Sequence, residues 1–166
     1  MKYSRPSLFT RWLLLAACLF LGVPALYCAD VTITAANLTP GVNAQFRRGT
    51  AGVAITAGQL VYLDTADNTW KLTDCNSATA AARDVDGIAA STSGAGQPLA
   101  VITSDDDLTL GGTVVNGTIY VASANAGGIA PAADMTTTWR PIVIGVAKST
   151  TKILFRAEGL RSPTAL

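Results

Sequence analysis

The side chains of this sequence best suited to chemistry are its carboxylates. Asp84 and Asp86 are two residues apart, which on a β-strand places both on one face, while Asp105, Asp106 and Asp107 form a run. Two carboxylates flanking a cleft serve glycoside hydrolysis, and a cluster of carboxylate oxygens suits calcium. The surrounding sequence predicts no cleft. For the Asp run we favour the simpler interpretation, a solvated turn that starts a strand.

Residues needed by most other catalytic sites are missing. The chain contains no histidine, which excludes Ser-His and Cys-His nucleophiles and the usual metal ligand. Cys75 is the single cysteine beyond residue 29, too few for a disulfide framework or a zinc site, and we expect it to fill space in the core. The glycine pairs at 111–112 and 127–128 precede predicted strands rather than helices, unlike phosphate-binding loops. We therefore predict no catalytic, cofactor-binding or metal site, no small-molecule substrate and no enzymatic activity.

Residues 1–29 have the composition of a secretory signal peptide. A basic start, "MKYSRPSLFTR", precedes the apolar run "WLLLAACLFLGVPAL" and the small residue Ala29. The run is short for a membrane span. Three alternatives stay open: cleavage after Ala25 or Ala29, retention as an apolar arm, or a translation start that lies further along the chain.

Charge argues against nucleic acid as a partner. Beyond residue 29 the chain carries nine basic and eleven acidic residues, a net charge of −2. Binding to phosphate backbones requires a basic stripe, whereas Arg47-Arg48 is the only adjacent basic pair in this part of the sequence. We predict no nucleic-acid binding.

The patterning predicts an all-β fold. Apolar residues make up 49% and charged residues 14% of the chain, and segments such as "TAGVAITAGQLVYLDTADNTWKLT" (50–73) alternate apolar and polar residues between turns. Short strands with turns every 8–12 residues are typical of a small sandwich or barrel of antiparallel strands.

Two stretches recur at an offset of 58 residues. The sequence "VYL" at 61–63 is matched by "IYV" at 119–121, and "GIAAS" at 87–91 by "GVAKS" at 145–149. The repeat predicts two related β halves. Both neighbours of each tyrosine are apolar, so we expect these strands to be buried on both faces or at an interface. The glycine that opens each "GIAAS" or "GVAKS" strand indicates a bulge or a close backbone approach.

These signals predict four segments: a leader at 1–29, a strand and arm at 30–49, a β domain at 50–157 and a C-terminal tail at 158–166. Asn116-Gly117 is a strong two-residue hairpin signal. Strands are expected at 31–35, 52–56, 58–63, 69–73, 87–91, 97–103, 107–115, 118–122, 128–130, 145–149 and 152–156.

An ordered series of blocks resembles one known family. The blocks are "ADVTITAANL", "GTAGVAITAGQLVYLD", "ARDVDGIAAS", "GQPLAVITS", "GGTVVNGTIYVAS", "GGIAP" and "VIGVAKSTTKILF". Their order and spacing, over residues 30 to about 155, resemble the bacteriophage capsid decoration (head cement) proteins, long described as a domain of unknown function. The resemblance covers roughly three quarters of the chain.

The resemblance implies a structural virion protein. Such a protein binds the major capsid protein on the outside of the icosahedral shell, often as a homo-oligomer, and stabilises the shell without catalysis or a cofactor. Family members start near the position of Ala29 and lack an export signal, so the leader of this chain departs from the pattern. Localisation on the capsid surface is the expectation, and a secreted or periplasmic location is the alternative if the leader is genuine.

Two tryptophans are candidate interface anchors. Trp70 and Trp139 are the only tryptophans beyond residue 29, and aromatic residues are favoured at the centres of interfaces. Together with the 30–49 arm they would contact the shell, and the alternative is that both belong to the core. A secreted β domain acting as an adhesin, glycan-binding module or self-assembling surface or filament subunit is the rival function, and a tail or fibre protein of the same virion is a third.

Overall fold

The computed structural model describes residues 30–157, which contain one mixed sheet of nine strands. This confirms the all-β prediction. The leader (1–29) and the tail (158–166) lie outside the described residues. The strands are β1 (Gln45–Ala51), β2 (Leu60–Asp64), β3 (Thr69–Leu72), β4 (Gly87–Ala89), β5 (Pro98–Thr109), β6 (Ile119–Ala122), β7 (Ile129–Pro131), β8 (Val143–Ala147) and β9 (Lys152–Arg156).

The first half of the sheet closes into a five-stranded barrel. Following the hydrogen-bonded neighbours gives the order β1-β3-β2-β4-β5, and β5 pairs again with β1. The pairs are antiparallel except β1–β3, which is parallel and joins only Thr50 to Thr69 and Ala51 to Trp70. A barrel was one of the two predicted architectures, and the parallel pair departs from the antiparallel expectation.

The second half repeats this pairing order, with the second half of β5 taking the place of β1. From there the neighbours are β9, β8, β6 and β7. Strands β7 and β5 do not pair directly. Residues 31–39 lie between them, since Val31 N–H donates to Ile129 O of β7 and Thr39 pairs with Thr109 of β5. Strands β2 and β6, and β4 and β8, lie at the predicted offset of 58. The two related halves thus share one long strand, β5.

The Asp run lies inside β5, contrary to the expectation of a solvated turn between two strands. The predicted strands 97–103 and 107–115 are joined into one strand of 12 residues that ends at Thr109. Asp105 is fully buried within it. Pairing with β9 is irregular between Asp105 and Leu108, so a bulge absorbs the polar run without ending the strand. Sequence patterning missed this because buried carboxylates are rare unless paired or hydrogen-bonded.

Four other local predictions were wrong. Residues 31–35 form no strand, because the Val31 and Thr34 amides donate to two different elements, and a 3₁₀ turn follows at Ala35–Asn37. Residues 52–56 contribute only the isolated Ile55–Ser93 bridge. The arm, in contrast, contains most of β1. A turn forms at Asn116-Gly117, but the strands on either side of it do not pair with each other.

Two apolar clusters fill the molecule. The smaller one lies in the first barrel and consists of Ala51, Ile55, Val61, Trp70, Ala89, Leu99 and Val101. The larger cluster joins residues of both halves, among them Ile88 and Ile102 from the first half and Tyr120, Ile144 and Phe155 from the second. Tyr62 and Tyr120 are both buried, but burial of the tyrosine strands on both faces is not complete, since Ile119 next to Tyr120 is 46% exposed. A shared core of this kind couples the halves mechanically.

Among residues 30–157 there is no helix of the length and apolar character needed to cross a membrane.

Candidate interaction surface

Strand β1 is the most exposed strand of the structure. Six of its seven residues are exposed to solvent, and the Phe46 side chain is 50% exposed. One edge of β1 is covered by β5 from Gln45 to Thr50. On the other edge, β3 pairs only with Thr50 and Ala51, so the stretch 45–49 pairs with no strand of the described region there. We call this stretch the open edge; it measures about 17 Å at ~3.3 Å per residue.

The packing of Trp70 shapes the end of the open edge. The indole is 1% exposed and lies against Gly49, where an added Cβ would stand 2.5 Å from Trp70 Nε1. The Arg47 guanidinium covers the ring, with its carbon 5.5 Å from the ring centroid. Within residues 30–157, Nε1 has no hydrogen-bond partner. Trp70 is therefore a core residue, the alternative to the interface anchor, and its ring offers no surface to a partner.

A surface cavity of about 320 Å³ adjoins the open edge. It lies between Arg47 on β1, Tyr62 and Leu63 on β2, and the loop that carries Asp84 and Asp86. Asp86 Oδ2 accepts a hydrogen bond from Leu63 N–H at 2.8 Å, which fastens that loop to β2. Burial, and next the nearby charge of Asp64, raise the pKa of the Tyr62 hydroxyl. Asp84 and Asp86 therefore line a cavity wall, with Asp86 serving a structural hydrogen bond.

An ion-pair cluster stabilises the tip of the β2–β3 hairpin beside this cavity. Lys71 Nζ lies 2.7 Å from Asp64 Oδ2 and 2.6 Å from Asp67 Oδ2. Hydrogen bonding to Lys71 lowers the pKa of both carboxyls, that of Asp67 to about 2, and raises the pKa of Lys71. The cluster thus fixes the turn between β2 and β3. The pairing of β3 with β1 starts directly after this turn, at Thr69.

The equivalent edge in the second half is covered by the chain itself. The residues 58 positions after Arg47 and Arg48 are Asp105 and Asp106. Asp105 Oδ2 accepts a hydrogen bond from Gly41 N–H at 2.7 Å, and Asn43 Nδ2 donates to Asp106 Oδ2 at 3.2 Å. Residues 39–44 thus lie along β5 at the position that is vacant along β1.

The rest of the Asp run is also engaged by the protein. Asp107 Oδ2 lies 2.5 Å from Lys152 Nζ, and this hydrogen bond is the main reason why the pKa of Asp107 is lowered. Lys148 Nζ donates to Asp106 O at 2.8 Å. No group of three or more acidic or cysteine side chains in the described part of the chain is arranged to hold a metal ion. The run therefore acts as a clamp that holds the 39–44 segment and β9.

Trp139 and Cys75 are both associated with the larger apolar cluster. Trp139 is half-buried and packs against the larger apolar cluster, so part of its ring stays available to solvent, and its role as an anchor remains a prediction. Cys75 is fully buried, as expected of a core filler, and burial raises the pKa of its thiol to about 11.

The sequence places Arg47-Arg48 in the arm, as a pair too small to bind nucleic acid. The offset of 58 is the signal that was missed, because it indicates that the stretch carrying this pair corresponds to the stretch carrying the Asp run. Compared with known protein families and with curated proteins, the chain matches none.

Proposed function

We propose that this protein is a structural virion protein that binds the outer surface of a phage capsid, through the major capsid protein, and stabilises the shell. The observation that carries the proposal is the ordered series of sequence blocks over residues 30 to about 155. The fold of two related halves supports it, because a rigid β body with an exposed strand suits repeated docking on a lattice.

The state of the carboxylates supports a structural role over catalysis. Asp86 and Asp105 accept hydrogen bonds from backbone amides of neighbouring segments, and Asp107 is ion-paired with Lys152. A general acid needs a carboxyl whose pKa is raised in a cleft. The shifts among the described carboxyls go the other way, at Asp64, Asp67 and Asp107.

Binding to empty heads tests the proposal directly. Purified protein is mixed with undecorated heads of a phage that encodes it, and co-sedimentation and the melting temperature of the heads are measured. We expect saturable binding and a higher melting temperature. Binding to no head, with the protein folded, contradicts the proposal.

Trp139→Ala tests one contact of that surface. Because the ring is half-buried at the edge of the core, an anchor role predicts loss of head binding with an almost unchanged melting temperature of the protein. Unfolding of the variant instead assigns Trp139 to the core. Met135→Ala is a control, since Met135 is an exposed apolar residue of the same loop.

The signal-peptide-like leader favours a second candidate, a secreted β domain acting as an adhesin, glycan-binding module or surface subunit. Mass spectrometry of the N-terminal peptide in particle pellets and in particle-free supernatant separates the two. A start near Ala29 to Val31 in the pellet, together with capsid protein, supports the virion role. A processed N-terminus found only in the supernatant, with selective binding on a glycan array, supports the secreted domain.

A further inference from the structure

We infer that the open edge of β1 binds an extended acidic segment of another protein, which adds to the sheet as a strand. If that protein is the major capsid protein, the inference names the type of capsid segment that is bound and in that respect rests on the proposed function. The inference comes from the exposed strand, from its occupied counterpart in the second half, and from the opposite charges carried by these two edges.

Exposure of the open edge requires an explanation. A strand with a free edge offers unpaired N–H and C=O groups to other chains, and proteins usually block such edges. Strand addition to an exposed edge is a common mode of peptide recognition, in which main-chain hydrogen bonds give affinity and alternate side chains give specificity. The stretch 45–49 is long enough for five residues of an added strand.

The second half of the molecule shows how such an edge is filled. Residues 39–44 lie along the equivalent stretch of β5, with Thr39 paired to Thr109 and Gly41 bonded to Asp105. This segment brings a backbone amide and the Asn43 side-chain amide to the carboxylates. Hydrogen-bond donors on the segment thus meet acceptors on the strand.

The first half has the opposite charge along the corresponding edge. Arg47 and Arg48 lie on the open edge, whereas Asp105 and Asp106 lie on the stretch of β5 that residues 39–44 cover. Guanidinium groups donate several hydrogen bonds in a geometry that matches carboxylates. A segment that binds this edge is therefore expected to carry carboxylates, in contrast to the amide donors that residues 39–44 bring to β5.

Strand geometry gives the spacing of the recognised residues. Phe46 and Arg48 are two apart and share one face of β1, whereas Arg47 points to the other face, over Trp70. The cavity wall on the Arg47 side carries Asp84 and Asp86, which disfavours acids there. The segment is therefore expected to present an apolar residue opposite Phe46 and an acid opposite Arg48.

A second copy of this chain is a poorer occupant. Two β1 strands paired with each other would bring four arginines into one two-stranded ribbon, and like charges on neighbouring strands are destabilising. Residues 158–166 contain one acid, Glu158, and follow Ala157, whose amide donates to Thr103 O close to the start of β1. This tail is the alternative that the experiment must separate.

Selection of peptides tests the inference without a capsid. The isolated full chain is used to select from a displayed library of random peptides of about nine residues. Enriched peptides are expected to carry an apolar residue and an acid two positions apart. Arg48→Asp should weaken their binding at least about tenfold, and Phe46→Ala several-fold. Arg156→Asp, a reversal at an exposed strand position of the second half, should leave the affinity unchanged.

Backbone methylation of the selected peptide tests the strand geometry. Alternate residues of an added strand direct their N–H groups toward its neighbour. N-methylation at one set of alternate residues should therefore abolish binding, and methylation at the other set should not. Equal tolerance of both sets, no enrichment, or affinity insensitive to Arg48→Asp overturns the inference.

Hydrogen exchange of the peptide-free chain tests the other occupants. Alternate amides within 45–49 point away from β5. We expect fast exchange of these amides in the free chain and their protection on peptide binding. Protection already present in the free chain overturns the inference. Loss of that protection on deletion of 158–166 would assign the edge to the tail, and loss on dilution would assign it to a second copy of the chain. If wild type and Arg48→Asp bind heads equally well, the proposed function stands and this inference is overturned. If the chain binds the selected peptide but no heads, this inference stands and the proposed function is overturned.

Discussion

The two halves of this protein have the same order of paired strands but differ at one edge. In the second half, residues 31–39 stand between β7 and β5, and residues 39–44 follow the Asp run. In the first half, β1 meets β3 directly at two residues and leaves 45–49 open. A duplicated framework thus has one copy of an edge that is filled from within and one copy that stays open among the described residues.

The difference also separates two ways of burying polar and aromatic groups. The first barrel buries a whole indole, whose Nε1 is unpaired within residues 30–157. The second half buries a carboxylate, both of whose oxygens accept backbone hydrogen bonds, from Gly41 and Asp107. The buried group of the first half is stabilised by packing, and that of the second half by hydrogen bonds. The following variants test this contrast.

Truncating Trp70 is expected to have the largest effect. Trp70→Ala empties the centre of the first barrel, and replacement of a buried tryptophan by alanine costs about 3–5 kcal/mol. Urea unfolding followed by circular dichroism measures the loss. Trp70→Phe should recover much of it, because the indole nitrogen makes no hydrogen bond within the described part of the chain. A loss below about 1 kcal/mol for the alanine variant would contradict the core position.

Removing the Asp105 carboxylate is expected to loosen only the second edge. Asp105→Ala leaves the Gly41 and Asp107 amides without acceptors, and loss of a hydrogen bond to a charged group costs about 1.5–3 kcal/mol. Amide exchange should rise at 39–44 but stay unchanged at 45–49. Asp106→Ala is the matched control, since its side chain bonds only exposed Asn43 and such substitutions fall within about ±0.5 kcal/mol. Equal exchange in both segments would remove the contrast.

The equivalent glycines Gly87 and Gly145 test whether the halves unfold together. An added Cβ would lie 2.6 Å from Ile102 O at Gly87 and 1.9 Å from Leu154 O at Gly145, which confirms the predicted close approach. Each alanine variant should lose about 1–3 kcal/mol, more at Gly145.

Because the larger cluster spans both halves, either glycine variant should lower one common unfolding transition. Calorimetry provides the measurement, and Gly94→Ala is the control, since its nearest neighbour would be Gln97 Cγ at 3.8 Å. Two separate transitions in either variant would show that the halves are independent units.

Acid pH is expected to have the smallest effect. The Asp67 carboxyl has its pKa lowered from 3.8 to about 2 by Lys71, and Lys152 lowers that of Asp107. A lowered pKa contributes stability that is present above pH 3.8 and is lost as the pH falls through about 2. The ion pairs are solvent-exposed, so the loss is modest.

Denaturation at a series of pH values measures this slope. Lys71→Met and Lys152→Met should each flatten it, the first through the first half and the second through the second half. A slope unchanged in both variants would mean that other groups control acid unfolding.

Much of the fold could be predicted from the sequence. Alternation and turn residues identified the tyrosine strands and β9 because these segments have regular apolar patterns bounded by turns. The offset of 58 identified the two halves because equivalent strands need equivalent residues. The buried tyrosines followed from their apolar neighbours, and the core position of Cys75 followed from its being the single cysteine beyond residue 29.

Other features depend on contacts between distant residues. Strand β5 continues through three aspartates because Gly41, Asn43, Lys148 and Lys152 satisfy them, and local sequence contains none of these partners. The status of Trp70 was undecided for the same reason: only closure of the first barrel places its ring against Gly49.

The sequence by itself determined the all-β class, the duplication, and the absence of histidine chemistry, since these follow from composition and local periodicity. Only the tertiary structure decided which edge of the duplicated framework is filled and which is open. That choice depends on where residues 31–44 lie relative to β5 and β7, and such long-range placement is set by backbone hydrogen bonds across the sheet. Corresponding edges of the two halves thereby differ, with a clamp at Asp105 in one and an exposed strand at Arg48 in the other.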